Sequence, residues 1–504
     1  MISSNCRTFP LLALLVALGF FPSSAQKVVK PDRANAGLDL IQSEVKKRVE
    51  SGELPSISIG VIQNGKTIWK ESFGFADVEK KTRATPDTIY ALGSLSKSIT
   101  GTALFKLVQS GKIDLDQPIA NYLKSTPINF QGHDPSGYKV FHLLNMTAGI
   151  PHHWRYCYTD LGNLTKCGSE FSSQASFSAF RPGEVHLYSN LSFGLVQQIV
   201  SDVSGQPFTK FMRDNILRPA GMKETFTHLN EIPKTGLTVA KPYKADGKPA
   251  ERFQFEPAGG GGFHSTVNDL LKYGAIHLRA KNDSNAVLSS ATLVENHRVR
   301  PELPHGYYAN GWGILPLPEK GTTLLSNGAI EGAASTLLVL PDAEIVIVVL
   351  VNKTVGNDLT DDIAFRIAGS LLPDYKGHLD TLFEKVGPLF SDREITKNDG
   401  LDGRWRGNLN VGDQRKQFEL SVEGTGGSVR VDGLRYEIKK VTVGQGLIKA
   451  ECELGLPEFK GKRQRAELLL RKDGDKLEGI LSLDVRSGRP EFLVPYYVSL
   501  KSVR

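Results

Sequence analysis

The strongest constraint on this chain is a pair of strand pairs set far apart. Residues 57–75, ISIGVIQNGKTIWKESFGF, are two alternating apolar runs joined by Asn64-Gly65, the strongest short hairpin signal. Residues 334–352, ASTLLVLPDAEIVIVVLVN, are two further strand-like runs turning at Pro341-Asp342. An amphipathic helical pattern from Leu38 to Val49 precedes the first pair, and another, DLTDDIAFRIAGSLL, follows the second. The segment between is mostly helical in character. Strands at both ends of such a segment bury themselves by meeting in one sheet. The expected core is therefore α/β (α+β): an antiparallel sheet flanked by helices, with a helical lobe.

Two segments stand apart from that core. The first 25 residues carry one positive charge (Arg7), an apolar run from Leu11 to Phe21, and small residues at Ser23 and Ala25. This is the layout of a cleaved signal peptide, and it implies a periplasmic or extracellular protein. No later stretch reaches about 18 consecutive apolar residues, so no transmembrane segment is expected in the mature chain. At the other end, after the polar stretch SDREITKNDG, short strands punctuated by glycine and Asp-Gly turns point to a small antiparallel barrel or sandwich. The expected division is a signal peptide at 1–25, a main domain at 26–390 and a β-domain at 391–504.

A formal charge of +7 over 504 residues, without a long basic block, argues against a nucleic-acid partner. Of the four cysteines, Cys6 leaves with the signal, and Cys157 and Cys167 bracket the polar segment CYTDLGNLTKC. In an oxidising compartment a bridge between them would stabilise that loop by about 3 kcal/mol in the chain-entropy model. Their spacing fits no common zinc pattern, and the neighbours His152 and His153 cannot supply a metal-binding helix face. No metal or cofactor is expected.

The chemistry is carried by three short elements. In ALGSLSKSIT, Ser94 and Lys97 are three positions apart at the opening of an apolar helix, so hydroxyl and amine share one face. The same Ser-x-x-Lys spacing occurs at Ser43/Lys46 and Ser136/Lys139, but only Ser94/Lys97 follows a strand-like run, TIYAL. In RPGEVHLYSN, Tyr188 and Asn190 occupy a turn before another amphipathic helix. The third element, SNGAIEGAAS, precedes an apolar strand and is expected to run along the edge of the sheet. Gly259 to Gly262 are followed by no Gly-Lys-Ser/Thr, so they read as a cleft wall needing close backbone approach, with Ser265 or Thr266 capping the next helix.

In this order the three elements resemble the serine β-lactamases and penicillin-binding proteins, specifically the class C β-lactamase-like serine hydrolases. The segments KIDLDQPIANYL, FHLLNMTAGIPH, LRPAGMKET and AGGGGFHSTVNDLLKY share the likeness, which covers roughly residues 37 to 372. The resemblance implies that Ser94 is a nucleophile within an S-x-x-K motif. It implies Lys97 as the group that accepts or relays its proton, and Tyr188 as a general base and later acid. A lysine cation beside Tyr188 would favour its phenolate. Asn190 would hold Lys97 and a substrate carbonyl, and the backbone N–H groups of Ser94 and Ala329 would form the oxyanion hole.

One departure bears on the substrate. Where the family usually has Lys or His, then Thr or Ser, then Gly, this chain has Ser326, Asn327 and Gly328. The missing cation would ordinarily meet a substrate carboxylate, so ester or amide substrates without one are favoured. Arg155 and His152 are candidate replacements, and Trp154, Tyr156 and Trp312 are candidates for the cleft rim. The expected partner is a small-molecule, peptide or ester substrate, with a cell-envelope polymer as a further candidate. The alternatives are a β-lactamase or D-Ala-D-Ala carboxypeptidase, and a non-catalytic cell-envelope binding protein on the same scaffold.

Overall fold

The structure, a computed structural model, describes residues 31–158, 176–233, 236–278, 287–300, 307–317, 321–372, 375, 393–394, 396, 399–411, 414–444, 447–456, 462–485 and 491–503. Residues 1–25 and Cys167 lie outside the described residues. Eight antiparallel strands form the main sheet, in the order 82–83, 66–77, 56–63, 345–351, 333–340, 321–330, 312–317, 308–309. The two distant hairpins thus meet at its centre, where Ile57 opposes Val351 and Ala334 opposes the same residue from the other side. Asn64 and Gly65 have φ of 50° and 71°, the two left-handed residues that a tight two-residue hairpin turn requires.

The strand Ile345–Val351 is buried along its whole length. Ile345, Ile347, Val349 and Val351 pack with the helices Pro31–Glu50 and Asn357–Leu371 on one face. Val346, Val348 and Leu350 pack on the other with the helical lobe. That two-sided burial is why the strand reads as a continuous apolar run rather than an alternating one. Helix Val267–Ile276 lies so close to it that a Cβ on Gly274 would stand 2.3 Å from Val346 Cγ1. A mid-helix glycine costs about 1 kcal/mol of helix propensity, and here close packing on the sheet accounts for it.

The C-terminal part is a closed barrel. Its eight strands, 403–411, 414–423, 426–431, 434–444, 447–454, 464–473, 476–485 and 492–503, pair in chain order. The first then pairs with the last, from Arg404↔Val503 to Asn410↔Tyr497. Closure removes the exposed edges that a sandwich would retain. Trp405, Leu409, Phe418, Leu468, Leu481 and Leu500 belong to its apolar interior.

The barrel is joined to the main domain by backbone pairing that the sequence pattern did not suggest. Phe492 and Leu493 of the last strand pair with Arg155 and Trp154, and the strand Trp154–Tyr158 pairs in turn with Phe253–Glu256. The aromatic side chains of this extension stack together, with Tyr156 on Phe253 at 3.8 Å between ring centroids. Among the described residues no helix is long and apolar enough to cross a membrane.

Leu337 is fully buried on the lobe face of the sheet. Leu337→Ala is expected to lower stability by about 2–5 kcal/mol, the usual range for such a cavity, measured as a shift in urea denaturation.

Candidate active site

Ser94 sits in a single 3-10 turn, Gly93–Leu95, that runs directly into the helix Ser96–Gln109. This places Lys97 in the first turn of that helix, where it is 1% exposed. Tyr188 and Asn190 flank Ser189, whose side chain caps the helix Asn190–Ser204 by accepting from the Ser192 N–H at 2.9 Å. The cap fixes both neighbours: Asn190 becomes the first helical residue, and Tyr188 stays outside at the cleft.

The structure brings Ser94, Lys97, Tyr188 and Asn190 together. Lys97 Nζ lies 2.9 Å from Ser94 Oγ, 2.7 Å from the Tyr188 hydroxyl, 2.5 Å from Asn190 Oδ1 and 2.5 Å from the Gly260 carbonyl oxygen. Ser94 Oγ and the Tyr188 hydroxyl are 2.6 Å apart. Burial pushes the amine well below its ordinary pKa. A neutral amine has two N–H groups and one lone pair. The Asn190 oxygen and the Gly260 carbonyl can only accept, so they take both N–H groups. In its neutral form the amine would turn its lone pair toward the hydroxyls of Ser94 and Tyr188.

The phenol departs from expectation. Although Tyr188 is 41% exposed at the mouth of the cleft, its hydroxyl end is packed against Lys97, and burial pushes it up to about 12 against an opposing hydrogen bond from Ser94. Burial disfavours the charged form of both groups, the ammonium of Lys97 and the phenolate of Tyr188.

The third element is an edge only locally. The strand Gly321–Ile330 is interior to the sheet, but its pairing with Trp312–Leu317 ends at Leu325, so, among the described residues, residues 326–330 have a strand neighbour on one side only. Two residues expected to meet substrate do not face it. Ser326 is 3% exposed and donates to Ser98 Oγ at 2.9 Å, and Asn327 on the opposite face donates to Asp361 Oδ2 at 2.6 Å. Period-two alternation sends these side chains to the layers above and below the sheet. Gly328 is the contact point: a Cβ there would lie 2.5 Å from the Ser94 nitrogen, and a Cβ on Gly93 would lie 3.2 Å from the Ala329 nitrogen. The two backbone amides therefore stand side by side, and Ala329 is exposed to the cleft.

The candidate replacement cations are accounted for differently. His152 Nδ1 accepts from the Asn190 N–H at 3.3 Å, and burial, with Lys97 and His153 nearby, pushes its pKa down to about 3. His152 is neutral and orients Asn190. The Arg155 guanidinium lies over the Phe492 ring, 5.6 Å from its centroid. Trp312 is fully buried and stacks on Tyr273 at 6.0 Å, so it belongs to the core and not the rim. Trp154 is also buried, within the aromatic cluster beside the barrel. Cys157 is disulfide-bonded, and Cys167 is outside the described residues.

Sequence reasoning found Gly259–Gly262 as a close wall but missed their chemical part. The Gly260 carbonyl anchors Lys97, the Gly259 carbonyl accepts from Thr100 Oγ1 at 3.0 Å, and a Cβ on Gly260 would meet the Asn190 carbonyl at 2.8 Å. Thr266 caps the next helix by accepting from the Asp269 N–H. Beside Tyr188 a cavity of about 300 Å³ separates the lobe from the barrel, with Arg465, Glu467 and Asp484 on its far wall. Nothing in the spacing of those residues pairs them with Tyr188. Among the described residues no group of three or more His, Cys, Asp or Glu is arranged to hold a metal ion.

The model of the beta-lactamase family matches residues 41–371. Protein flp of Staphylococcus aureus (strain MW2) is 28% identical over 190 residues, which is 37% of this chain and 37% of that protein's length. A beta-lactamase of Pseudomonas fluorescens is 26% identical over 301 residues, covering 58% of this chain and 79% of its own. The solved structure of an octameric penicillin-binding protein homologue from Pyrococcus abyssi has a TM-score of 0.54 at 21% identity, covering 90% of this chain and 99% of that one. The chain belongs to the beta-lactamase family.

Proposed function

We propose that this protein is a secreted serine hydrolase that cleaves ester or amide substrates through an acyl-enzyme on Ser94. The observation that carries this reading is the buried amine of Lys97, within 2.9 Å of a serine hydroxyl and relieved of its own donors by Asn190 and Gly260. A serine hydroxyl becomes a competent nucleophile when a neighbouring base takes its proton.

In the first step Ser94 Oγ bonds to the substrate carbonyl carbon, and its proton passes to Lys97 Nζ, directly or through the Tyr188 hydroxyl. The carbonyl oxygen gains the negative charge and is met by the N–H groups of Ser94 and Ala329, each such donor contributing about 3–4 kcal/mol to the transition state. Collapse breaks the bond to the leaving group, which departs with the proton returned through Tyr188. Water then attacks the acyl-enzyme by the same proton path in reverse and frees the acid and Ser94. Asn190 holds the amine throughout, and His152 holds Asn190.

The substrate reading rests on Ser326. The position that carries a cation in related proteins is here a buried hydroxyl bonded to Ser98, which supports substrates without a carboxylate at that point. A second reading, β-lactam hydrolysis or D-Ala-D-Ala carboxypeptidase activity, is favoured by the Pseudomonas fluorescens relative named a beta-lactamase. Nitrocefin turnover at a rate matching p-nitrophenyl ester hydrolysis would favour it over the first.

Ser94→Ala is expected to abolish both fluorophosphonate labelling and p-nitrophenyl ester hydrolysis without loss of folded structure by circular dichroism. Unchanged hydrolysis in that variant would reject the assignment, and ligand binding without turnover by the intact protein would favour a binding protein instead. Tyr188→Phe is expected to lower kcat by about 10²–10⁴, the range for loss of one acid–base group.

The amine also makes a stability prediction. Its folded pKa is depressed below the unfolded value, so between the two the unfolded chain binds the extra proton. Stability contributed by this site therefore rises with pH across that window, by up to about 1.4 kcal/mol per pH unit. Denaturation of the parent and of Lys97→Met from pH 6 to 9 should show the parent gaining relative to the variant, while the variant loses activity at every pH.

A further inference from the structure

We infer that Asp361 is a positioning residue for the oxyanion hole: its carboxylate clamps the strand that carries Ala329 and so holds the Ala329 N–H beside that of Ser94. This rests on the hydrolase reading above, in which those two amides meet the developing negative charge.

The need for a clamp follows from the strand itself. Among the described residues, the segment 326–330 is paired on one side only, with Asn327 opposite Thr336, Gly328 opposite Ser335 and Ala329 opposite Ala334. A strand held along one edge is free to tilt about that edge. The tolerance here is small, because a Cβ on Gly328 would stand 2.1 Å from the Leu92 carbonyl oxygen and 2.5 Å from the Ser94 nitrogen. An oxyanion donor works at about 2.7–3.1 Å, so a tilt of about half an ångström takes it out of range.

Asp361 removes that freedom from one face. Asn327 and Thr336 are cross-strand neighbours, and their side chains leave the sheet on the same side. One carboxylate takes both: Oδ2 accepts from Asn327 Nδ2 at 2.6 Å, and Oδ1 accepts from Thr336 Oγ1 at 2.6 Å. Asp361 belongs to the helix Asn357–Leu371, which packs against these strands, so the two strands are tied to each other and to a helix. On the opposite face Ser326 donates to Ser98 Oγ, and Ser335 Oγ donates to the Leu92 carbonyl oxygen at 2.7 Å. Of these four ties, the two to Asp361 go to a charged acceptor and are about twice as strong as neutral ones.

The carboxylate is not held there by a cation. Among the described residues no ion pair involves Asp361, and the charge that bears on it, Asp358, has the same sign. Burial pushes its pKa up to about 6 against the hydrogen bonds from Thr336 and Asn327. A group that its surroundings disfavour in the charged form thus stands where its two oxygens span the ladder, one residue before Gly328.

The test exchanges donor and acceptor in the full-length protein at pH 8, above the pKa of that carboxyl. Asn327→Asp sets two carboxylates against each other. Adding Asp361→Asn restores the pair with its roles reversed, and the new amide oxygen still accepts from Thr336. The readouts are kcat and KM for p-nitrophenyl acetate, affinity for phenylboronic acid, and the urea midpoint. Ser94 Oγ bonds to the boron of that probe, its proton passing toward Lys97, and a boronate oxygen then lies where the oxyanion forms. Asn327→Asp is expected to lower kcat and boronate affinity together by about tenfold to hundredfold, the scale of one hydrogen bond to a charged group. KM should change by less than about twofold, the mark of an interaction made in the transition state, and the double variant should recover both losses to within about threefold. Unchanged boronate affinity, a loss confined to KM, or no recovery in the double variant would overturn the proposal. If Asn327→Asp proves unfolded, Asn327→Ala brings no new charge and decides by the same two quantities: a joint loss supports the clamp, and no loss rejects it. A parent that turns over no ester and is not labelled at Ser94 removes the hydrolase reading and this role with it, whereas an active parent with unresponsive variants rejects this role alone.

Discussion

The site depends on a lysine kept out of water. An amine at 1% exposure is unfavourable in its charged form, and the fold answers by giving it two partners that can only accept. Those partners come from separate parts of the chain, the cap of one helix and a glycine turn, and both are held by further contacts. Asn190 is tied to His152, and the turn at Gly260 is pressed so close to Asn190 that a side chain there would collide with it. Ser94 itself is placed by the single turn that opens the helix.

The sheet supplies the other half of the arrangement. Its interior strand brings Gly328 against the turn that holds Ser94, so two backbone amides converge without any side chain being spent on them. The strand that buries both its faces, Ile345–Val351, holds the sheet between two helical layers and leaves the segment 326–330 unpaired on the side where β-pairing stops. The cleft is thus a gap in a ladder whose surroundings are rigid. Such a gap is where a substrate backbone or acyl chain can approach an otherwise satisfied sheet.

Much of this was legible in the sequence where a local pattern has one physical meaning. Asn64-Gly65 between alternating runs, the continuous apolar run 345–351, and the amphipathic helices at either end all formed as read. The meeting of Ser94 and Lys97 follows from helical spacing, and Tyr188 and Asn190 came from resemblance. What could not be read was orientation and coupling across the fold. Ser326 and Asn327 look like site residues by position, yet alternation turns one to Ser98 and the other to Asp361. A lysine cation was expected to favour the phenolate of Tyr188, whereas burial pushes the phenol the other way. Strand pairing between Trp154 and Leu493, and the wall formed by Arg465, Glu467 and Asp484, join residues with no common pattern to link them.

The seating of Ser56–Gln63 against Ile345–Val351 also has a kinetic consequence. The first strand of the sheet finds its neighbour only after nearly the whole main domain has been synthesised. Contacts of such long sequence separation must close a large loop before they return any stabilising energy, so they form late and slowly. The backbone amides of Ser94 and Ala329, drawn from either end of that loop, come together only once it has closed.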